Sequence, residues 1–579
     1  MKIIIGINAN HADSSACIIV DGKLIAAIEE ERLNRIKHFS GYPILSIQEC
    51  IRIANVKSTQ ITDVAFNTRP LSNIFPKSLF FLKNFSLKKN QAIRRVFKKI
   101  NVKKKLLENF KLNKNVKFHF IEHHLAHIAS AFYPSGFKKA NGLSIDGSGD
   151  FVTCAIAECE NNLIKIKKKT FFPHSLGIFY HGMTQFLGFK NYGEEYKMMG
   201  LAAYGNPIYY EKIINNLFEK NKNNNFKLNL DYFNHQRNDY RYIADENLTI
   251  DLIYSNKLVD LFDSDYKNSE NKEIFKKNFA SSVQKVYEFF FNKIIEEIIS
   301  KNFSENLVFS GGCALNSTAN KILTDNKKLF KKTHINYAPG DNGGAIGAAL
   351  IVSAKKKEDI KNSENPYLGN EYTNKEIFKC LNDQYYKKKI EYKFIEDQTK
   401  LMKLVAQLIS QGNVIGWFQG KMEFGPRALG NRSILADPRN PQMKDIINLK
   451  VKRRESYRPF APVVLEEYQN EWFESNFFNS YMSSVVNVKK DKKALVPAIT
   501  HIDNTARLQS TNKKTNEKLS ILIHEFNKIT KVPILLNTSF NENEPIVRKP
   551  KEALDCLIRT DIDLLIINNY VVNKIKNDQ

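Results

Sequence analysis

Residues 1–38 read MKIIIGINANHADSSACIIVDGKLIAAIEEERLNRIKH. The apolar run Ile3–Ile7 predicts a buried strand, and Ala16–Val20 predicts a second strand returning beside it. Asp21-Gly22 is a two-residue hairpin signal, so a third strand follows, then a helical or loop segment. The turn between the first two strands carries His11 and Asp13. Polar side chains are thus placed at a strand end, where chemistry is usually displayed.

Working outward, the chain has 579 residues, enough for two to four domains. Apolar residues make up 42% and charged residues 26%, which excludes disordered and fibrous classes. The net charge is +26 and the pI about 9.4. Such a charge fits a nucleic-acid or anionic-membrane partner, or a general Lys-rich drift of composition. Seven cysteines show no C-x-x-C pair. With no secretory apolar region after Met1, they point to a reducing, cytoplasmic setting. No apolar run reaches the roughly 18–20 residues of a membrane span, so a soluble protein is expected.

Between Lys83 and Lys105 there are ten basic residues and no acid. The surrounding segment 76–117 reads as amphipathic helices with a solvated basic face. The polar stretch 219–272 reads as a loosely packed surface excursion, and Phe275–Ser300 as a helix. A Lys/Glu/Asn-rich stretch, 354–372, reads as a linker between domains 1–353 and 373–579. The later apolar runs VIGWF, VPILLNTSF and DLLIINNYVV alternate with helical patterns, as in α/β or α+β folds. No internal repeat is evident.

Four constellations carry chemistry. In His123-His124-Leu125-Ala126-His127, positions i and i+4 share a helix face, so His123 and His127 can both ligate one metal. Satisfied core histidines are the alternative. SIDGSGD (144–150) reads as a strand ending in a flexible acidic turn suited to a cation or phosphate. FSGGCALN and APGDNGGAIGAA each read as a strand, a Gly-rich turn and an Ala-rich helix start. Gly311, Gly312 and Asn316 could face a nucleotide there, with Asp341 placed like a metal or ribose ligand. Tight helix-on-sheet packing is the alternative. Last, Arg427, Arg432, Arg439, Arg453, Arg454 and Arg458 cluster in a chain that otherwise prefers Lys. Arg supplies a planar fork for phosphate or carboxylate that Lys lacks. Asn537, Thr538 and Ser539 end the strand of LLNTSFNENEPIV.

These motifs occur in one order along nearly the whole chain: GINANHADSSACIIVDGKLIAAIEEERLNRIKH, EHHLAHIASAFYPSGF, SIDGSGD, YKMMGLAAYG, SGGCALN, APGDNGGAIGAA, GKMEFGPRALGNRSILADPR, YRPFAPVV and LLNTSFN. Together they resemble the O-carbamoyltransferase family of antibiotic and nodulation-factor biosynthesis. Segments 76–117 and 219–272 carry no family pattern. The resemblance implies an α/β chain of two domains. The first is actin/hexokinase-like and similar to the tRNA threonylcarbamoyl-transfer protein; the second is α+β and similar to the carbamoyl-adenylate-forming YrdC-like fold.

The resemblance further implies that the second domain makes carbamoyl-adenylate from carbamoyl phosphate and ATP with Mg²⁺. The first domain then transfers the carbamoyl group to a hydroxyl of a small-molecule acceptor. A divalent metal of the Fe²⁺ type would be held by His123, His127, Asp146 and Asp341, a nitrogen–oxygen set compatible with iron. His11 would be the general base, with an ordinary imidazole pKa near 6.5 suited to that task. Lys37 would line the acceptor pocket. Arg427, Arg458 and Arg507, with Asn537 and Ser539, would hold ATP and carbamoyl phosphate.

Three rival readings remain. A tRNA threonylcarbamoyl-adenosine synthase fusion is favoured by the basic excess, but GPRALGNRS and LLNTSFN resemble the small-molecule enzymes. A non-catalytic nucleotide- or RNA-binding scaffold is opposed by the complete set of candidate ligands. A sugar kinase needs neither the paired histidines nor a second domain. Nucleic acid takes second place as a partner, and no membrane partner is expected.

Overall fold

Strands Ile3–Asn8, Ser15–Val20 and Lys23–Glu29 form two successive antiparallel hairpins. Asp21 and Gly22 turn the second hairpin with positive φ of 46° and 80°, the conformation that matches strand twist. Asp63–Phe66 then pairs parallel to the first strand, and Lys117–Phe120 parallel to that one. Parallel pairing buries both faces, which is why Ile3–Ile7 is continuously apolar.

The computed structural model describes residues 1–83, 101–219, 226–237, 240–241, 249–269, 271–325, 329–356, 360–361, 363–455, 457–475 and 477–575. The chain is mixed α/β and divides into two units. The first holds Met1–Ala319 and Asn326–Glu364, the second Asn320–Asp325 and Asn365–Gln579.

A second sheet in the first unit repeats the topology of the first. Lys139–Gly149, Val152–Glu160 and Leu163–Phe171 are consecutive antiparallel hairpins; Asn306–Ser310 and Lys332–Ile335 add in parallel beside Lys139–Gly149. Each sheet has five strands in the order third, second, first, fourth, fifth. The sequence shows no repeat because strand order and inward apolar positions survive wholesale side-chain exchange. Each fifth strand leads into a helix, His123–Phe132 in one half and Gly343–Lys355 in the other. These helices touch: a Cβ on Gly347 would overlap the Ala126 carbonyl. The Gly/Ala run of GGAIGAA therefore serves close packing, the alternative left open for that motif.

The strand of SIDGSGD ends at Gly149, before the turn at Asp150, with a register irregularity between Ile145 and Gly149, and such irregularities re-aim side chains. Other local readings change. FSGGCALN enters a single 3₁₀ turn, Gly312–Leu315, rather than an Ala-rich α-helix. Its amides point inward instead, Gly311 N–H to the Pro339 carbonyl at 2.8 Å and Gly312 N–H to Asp146 Oδ1 at 2.8 Å. The polar region 219–272 is well packed where described. Leu228, Phe233, Leu258 and Phe262 are buried, and Phe262 meets Phe279 edge-on at 5.1 Å. Its few apolar residues are placed at core positions, which average composition hides. Within 354–372, Ser363 and Leu368 are also buried, and the division between units falls after Glu364.

Helices Ile74–Lys83 and Val102–Asn109 flank residues 84–100, which lie outside the described residues together with most of the basic run.

The second unit is built on one eight-stranded mixed sheet and a three-stranded one. VIGWF, VPILLNTSF and DLLIINNYVV supply central strands: Ile415–Phe418, Ile534–Ser539, and the pair Leu564–Ile567 and Tyr570–Lys574. Helices Gln398–Ser410, Glu517–Thr530 and Pro550–Arg559 cover it around a core that includes fully buried Trp417 and Trp472.

Candidate active site

Helix His123–Phe132 starts under two carboxylates. Glu122 accepts from Leu125 N–H at 3.1 Å, and Asp150 Oδ2 accepts from His123 N–H at 3.1 Å. Negative charge at the exposed amides of a helix N-terminus is stabilising. Asp150 is gripped in turn by Thr68 Oγ1 at 2.9 Å and Arg69 N–H at 2.7 Å. The helix also lies close on the neighbouring strand: a Cβ on Gly149 would fall inside the His123 ring.

One turn apart, His123 and His127 face each other with their Nε2 atoms 2.9 Å apart. Asp146 Oδ2 lies 3.2 Å from the first and 3.7 Å from the second. Asp341 Oδ1 is 3.4 Å from both. Asp146 comes from the irregular part of its strand and Asp341 from the turn before helix Gly343–Lys355, so the four donors converge from both halves of the duplicated unit. Four ligands about 2.0–2.2 Å from a tetrahedral centre lie about 3.3–3.6 Å apart. These spacings and the two-nitrogen, two-oxygen set fit a divalent ion.

The electrostatics show how tightly the four are coupled. Burial alone pushes the His123 imidazole down, but Asp146 and Asp341 outweigh it and lift it from 6.5 to about 10. His127 is raised by the same carboxylates against burial and the charge of His123. Burial raises both aspartates, and the two imidazoles more than reverse it, holding Asp146 and Asp341 below the usual carboxylate range. A raised imidazole stabilises the fold below its ordinary 6.5, and that contribution disappears as pH climbs through about 10. Metal-free protein should therefore melt at falling temperature from pH 6.5 to 10, and a divalent ion should flatten that slope by replacing the proton. Melting curves across this range with and without the ion check it.

His124 is structural: its ring nitrogens lie 2.9 Å from Ser144 Oγ and 2.8 Å from the Val152 carbonyl oxygen. His11 stacks on His123 with centroids 4.8 Å apart and planes at 27°. Its loop is pinned by Asn8, whose Nδ2 donates to the Ala12 and Asp13 carbonyls at 3.0 and 3.2 Å.

Beside this centre lies a polar group that sequence reading did not single out as a site. His38 Nδ1 is 2.8 Å from Asp13 Oδ1, and His38 N–H donates to Glu31 Oε2 at 2.8 Å. Tyr192 meets the His38 ring edge-on at 5.5 Å. Burial and the charges of Asp13, Asp341, Glu195 and Asp146 hold its phenol well above its ordinary value. Lys37 is exposed next to His38. Asn316 pairs with Gln284 through bonds of 3.1 and 3.2 Å, inside the turn that holds Asp146.

In the second unit the Arg cluster separates into scaffold and display. Arg432 is fully buried, stacks 3.7 Å over Phe418, and donates to the carbonyls of Gln419, Asn431, Asn370 and Gly420. Glu423 Oε1 accepts from the amides of Leu429, Asn431 and Arg432 at 2.8, 2.7 and 3.2 Å, which folds the loop carrying Arg427. Arg427 and Arg458 gather near Arg507, whose guanidinium is depressed by burial and by those two charges. Asn537 Nδ2 donates inward to Gln509 Oε1 at 2.7 Å and to the Ala428 carbonyl at 3.2 Å.

Lys452, absent from the sequence-based candidates, ends a π-helical turn over Asn448–Lys452; such turns recur at functional sites. Its buried Nζ donates to the Ser539 carbonyl at 2.5 Å and to the Asn541 carbonyl and Oδ1 at 2.8 Å each. Ser539 Oγ in turn donates to Asn541 Oδ1 at 2.7 Å. Burial, then the charges of Arg454 and Arg458, lower the Lys452 ammonium well below its ordinary value. One more Lys in a Lys-rich chain gave no compositional signal.

Comparison with known proteins covers both units. The family description "Carbamoyltransferase N-terminus" matches residues 3–350, and "Carbamoyltransferase C-terminus" matches residues 406–574. The uncharacterized protein sll1178 of Synechocystis sp. is 36% identical over 100% of this chain and 98% of its own length. Nodulation protein NolNO of Sinorhizobium fredii is 34% identical over 97% of this chain and 79% of its own. The uncharacterized protein MJ1051 of Methanocaldococcus jannaschii is 30% identical over 99% of this chain and 100% of its own. The chain therefore belongs to the carbamoyltransferase family, enzymes that transfer the carbamoyl group.

Proposed function

We propose that the protein is an ATP-dependent O-carbamoyltransferase acting on a hydroxyl of a small-molecule acceptor, with a half-reaction assigned to each unit. The observation that carries this reading is the convergence of His123, His127, Asp146 and Asp341 beside the stacked His11. An actin/hexokinase-like assignment of the first unit is supported by its two sheets of matching order, and a YrdC-like assignment of the second rests on the sequence resemblance.

In the first half-reaction, carbamoyl phosphate, ATP and water give carbamoyl-adenylate, pyrophosphate and phosphate, with Mg²⁺ accompanying the ATP. Arg427, Arg458 and Arg507 neutralise the phosphate groups, the kind of preorganised charge that dominates such catalysis. Lys452 secures Ser539 and Asn541 beside them, and Asn537 braces the Arg427 loop through the Ala428 carbonyl.

In the second, the acceptor oxygen attacks the carbamoyl carbon, the bond from that carbon to the adenylate oxygen breaks, and AMP leaves. His11 takes the hydroxyl proton. His123, His127, Asp146 and Asp341 would hold a divalent ion of the Fe²⁺ type, which supplies Lewis-acid polarisation of the carbamoyl carbonyl. The turn of Gly311, Gly312 and Asn316, which secures Asp146, is assigned to the nucleotide end of the intermediate. The Asp13–His38 pair, with Lys37 at its edge, is assigned to the acceptor side.

The test is incubation of the protein with ATP and carbamoyl phosphate without acceptor. Pyrophosphate release that requires carbamoyl phosphate, with carbamoyl-adenylate formed, is expected. Absence of both, or carbamoylation confined to tRNA adenosine, overturns the reading.

A further inference from the structure

The eight-stranded sheet of the second unit ends on strand Ile390–Phe394, whose one neighbour in that sheet is Tyr570–Lys574. The register sets Glu391 against Asn573 and Lys393 against Val571. Beyond the strand ends, Ile575 N–H donates to the Lys389 carbonyl and Ile395 N–H to the Asn569 carbonyl, each at 2.9 Å. Residues 389, 391, 393 and 395 therefore turn their backbone groups inward. Alternation along an antiparallel ladder then directs the N–H and C=O of Ile390, Tyr392 and Phe394 out of the sheet. Such an edge is a template for one more strand.

Apolar surface flanks this edge. Phe378, Tyr385 and Phe394 are 49%, 54% and 46% exposed. Phe378 meets Tyr392 edge-on at 6.3 Å, and Phe394 lies against Tyr570 at 5.0 Å. An edge strand is commonly protected by an unmatched charge, Lys above all. Here exposed Lys393 stands two residues from exposed Glu391, on the same face of the strand.

We propose that this edge is a two-fold interface with a second copy of the chain, Ile390–Phe394 pairing antiparallel with itself so that two sheets join into one. Charge selects both partner and register. With Tyr392 opposite Tyr392 of the second copy, Ile390 lies opposite Phe394, and Glu391 lies opposite Lys393 twice by symmetry. The outward groups of the three even-numbered residues then exchange about six hydrogen bonds across the contact. A slip that centres the two-fold on Glu391 or on Lys393 sets like charge against like charge, which is destabilising. Just outside the strand, exposed Lys387 and Lys388 precede it and exposed Glu396 and Asp397 follow it. Antiparallel pairing brings each basic end toward an acidic one. A foreign strand can use the same backbone groups, but the charge pattern is complementary to its own reverse, as self-pairing requires.

The contact leaves the anion-handling residues open. Strands Ile534–Ser539 and Gln509–Thr511 lie toward the opposite edge of the same sheet.

Sedimentation velocity of the full chain over a concentration series tests the proposal without any enzymatic assay. The wild type should show a monomer–dimer equilibrium. Glu391→Lys and Lys393→Glu should each weaken it by about thirtyfold, since either change turns both charge pairs of the symmetric contact into like-charge pairs. The exchange variant Glu391→Lys/Lys393→Glu should restore the dimer. Mixing the two single variants should give a dimer with one copy of each, because their edges are then complementary; a misfolded variant would not associate in this way. Melting temperature and pyrophosphate release should be unchanged in all three variants. The proposal is overturned by a wild type that stays monomeric up to about 0.1 mM, or by a dimer that neither single variant weakens. Single variants that remain monomeric when mixed overturn it as well.

Discussion

His127→Ala is expected to abolish bound divalent metal and to lower carbamoyl transfer by about a thousandfold or more, while pyrophosphate release from ATP and carbamoyl phosphate stays within about twofold. His127 is the cleaner of the two imidazoles to remove. His123 also stacks on His11 and lies against Gly149, so its loss would disturb a second candidate catalytic group. Removing His127 leaves His123, Asp146 and Asp341 in place, but three donors with a lost imidazole bind a borderline metal far more weakly. Metal analysis of the purified variant, paired with the two half-reactions, gives the readout. His124→Ala is the control. Both nitrogens of that ring are taken up, by Ser144 Oγ and the Val152 carbonyl, so its loss should lower the melting temperature and leave metal content intact. Metal retained by His127→Ala would falsify the four-ligand assignment.

How far the site was legible depended on how local each signal is. His123 and His127 are one helical turn apart, so shared-face geometry brings them together from sequence alone. Asp146 and Asp341 are brought beside them by a strand irregularity and by a turn in the opposite half of a duplicated fold. No spacing rule contains that information, and only resemblance to a family supplied it. The same limit hid the duplication: hairpin signals are local and readable at Asp21-Gly22, whereas strand order depends on pairings across the whole unit. Average composition misled where a few residues decide packing. Phe233 and Phe262 bury themselves inside a stretch dominated by Lys and Asn, and Phe75 and Leu82 expose themselves beside one dominated by Lys and Arg. In the Arg cluster, residue type suggested anion handling but could not divide labour. Arg432 is spent on backbone carbonyls, while Arg507, outside the cluster in sequence, joins Arg427 and Arg458 in space.

That division yields a prediction in which function and stability move in opposite directions. A guanidinium serving the fold, such as Arg432, satisfies carbonyls that would be left buried and unpaired without it, so its loss destabilises. Arg507 is half-buried near two further positive charges that oppose its ionisation, a repulsion that a bound anion would relieve. Arg507→Met, which keeps apolar volume and removes charge, should lower pyrophosphate release by about a hundredfold or more, the usual penalty for losing one preorganised charge at a phosphoryl site. In anion-free buffer its melting temperature should be unchanged or higher than that of the wild type. Phosphate or carbamoyl phosphate at about a hundred times its dissociation constant should stabilise the wild type by about 2.7 kcal/mol through mass action. The variant should lose most of that stabilisation, because Arg427 and Arg458 alone hold the anion more weakly. Melting scans with and without the anion, set beside the pyrophosphate assay, separate the possibilities. A fall in anion-free melting temperature that tracks the loss of activity would make Arg507 a structural residue and remove it from the clamp.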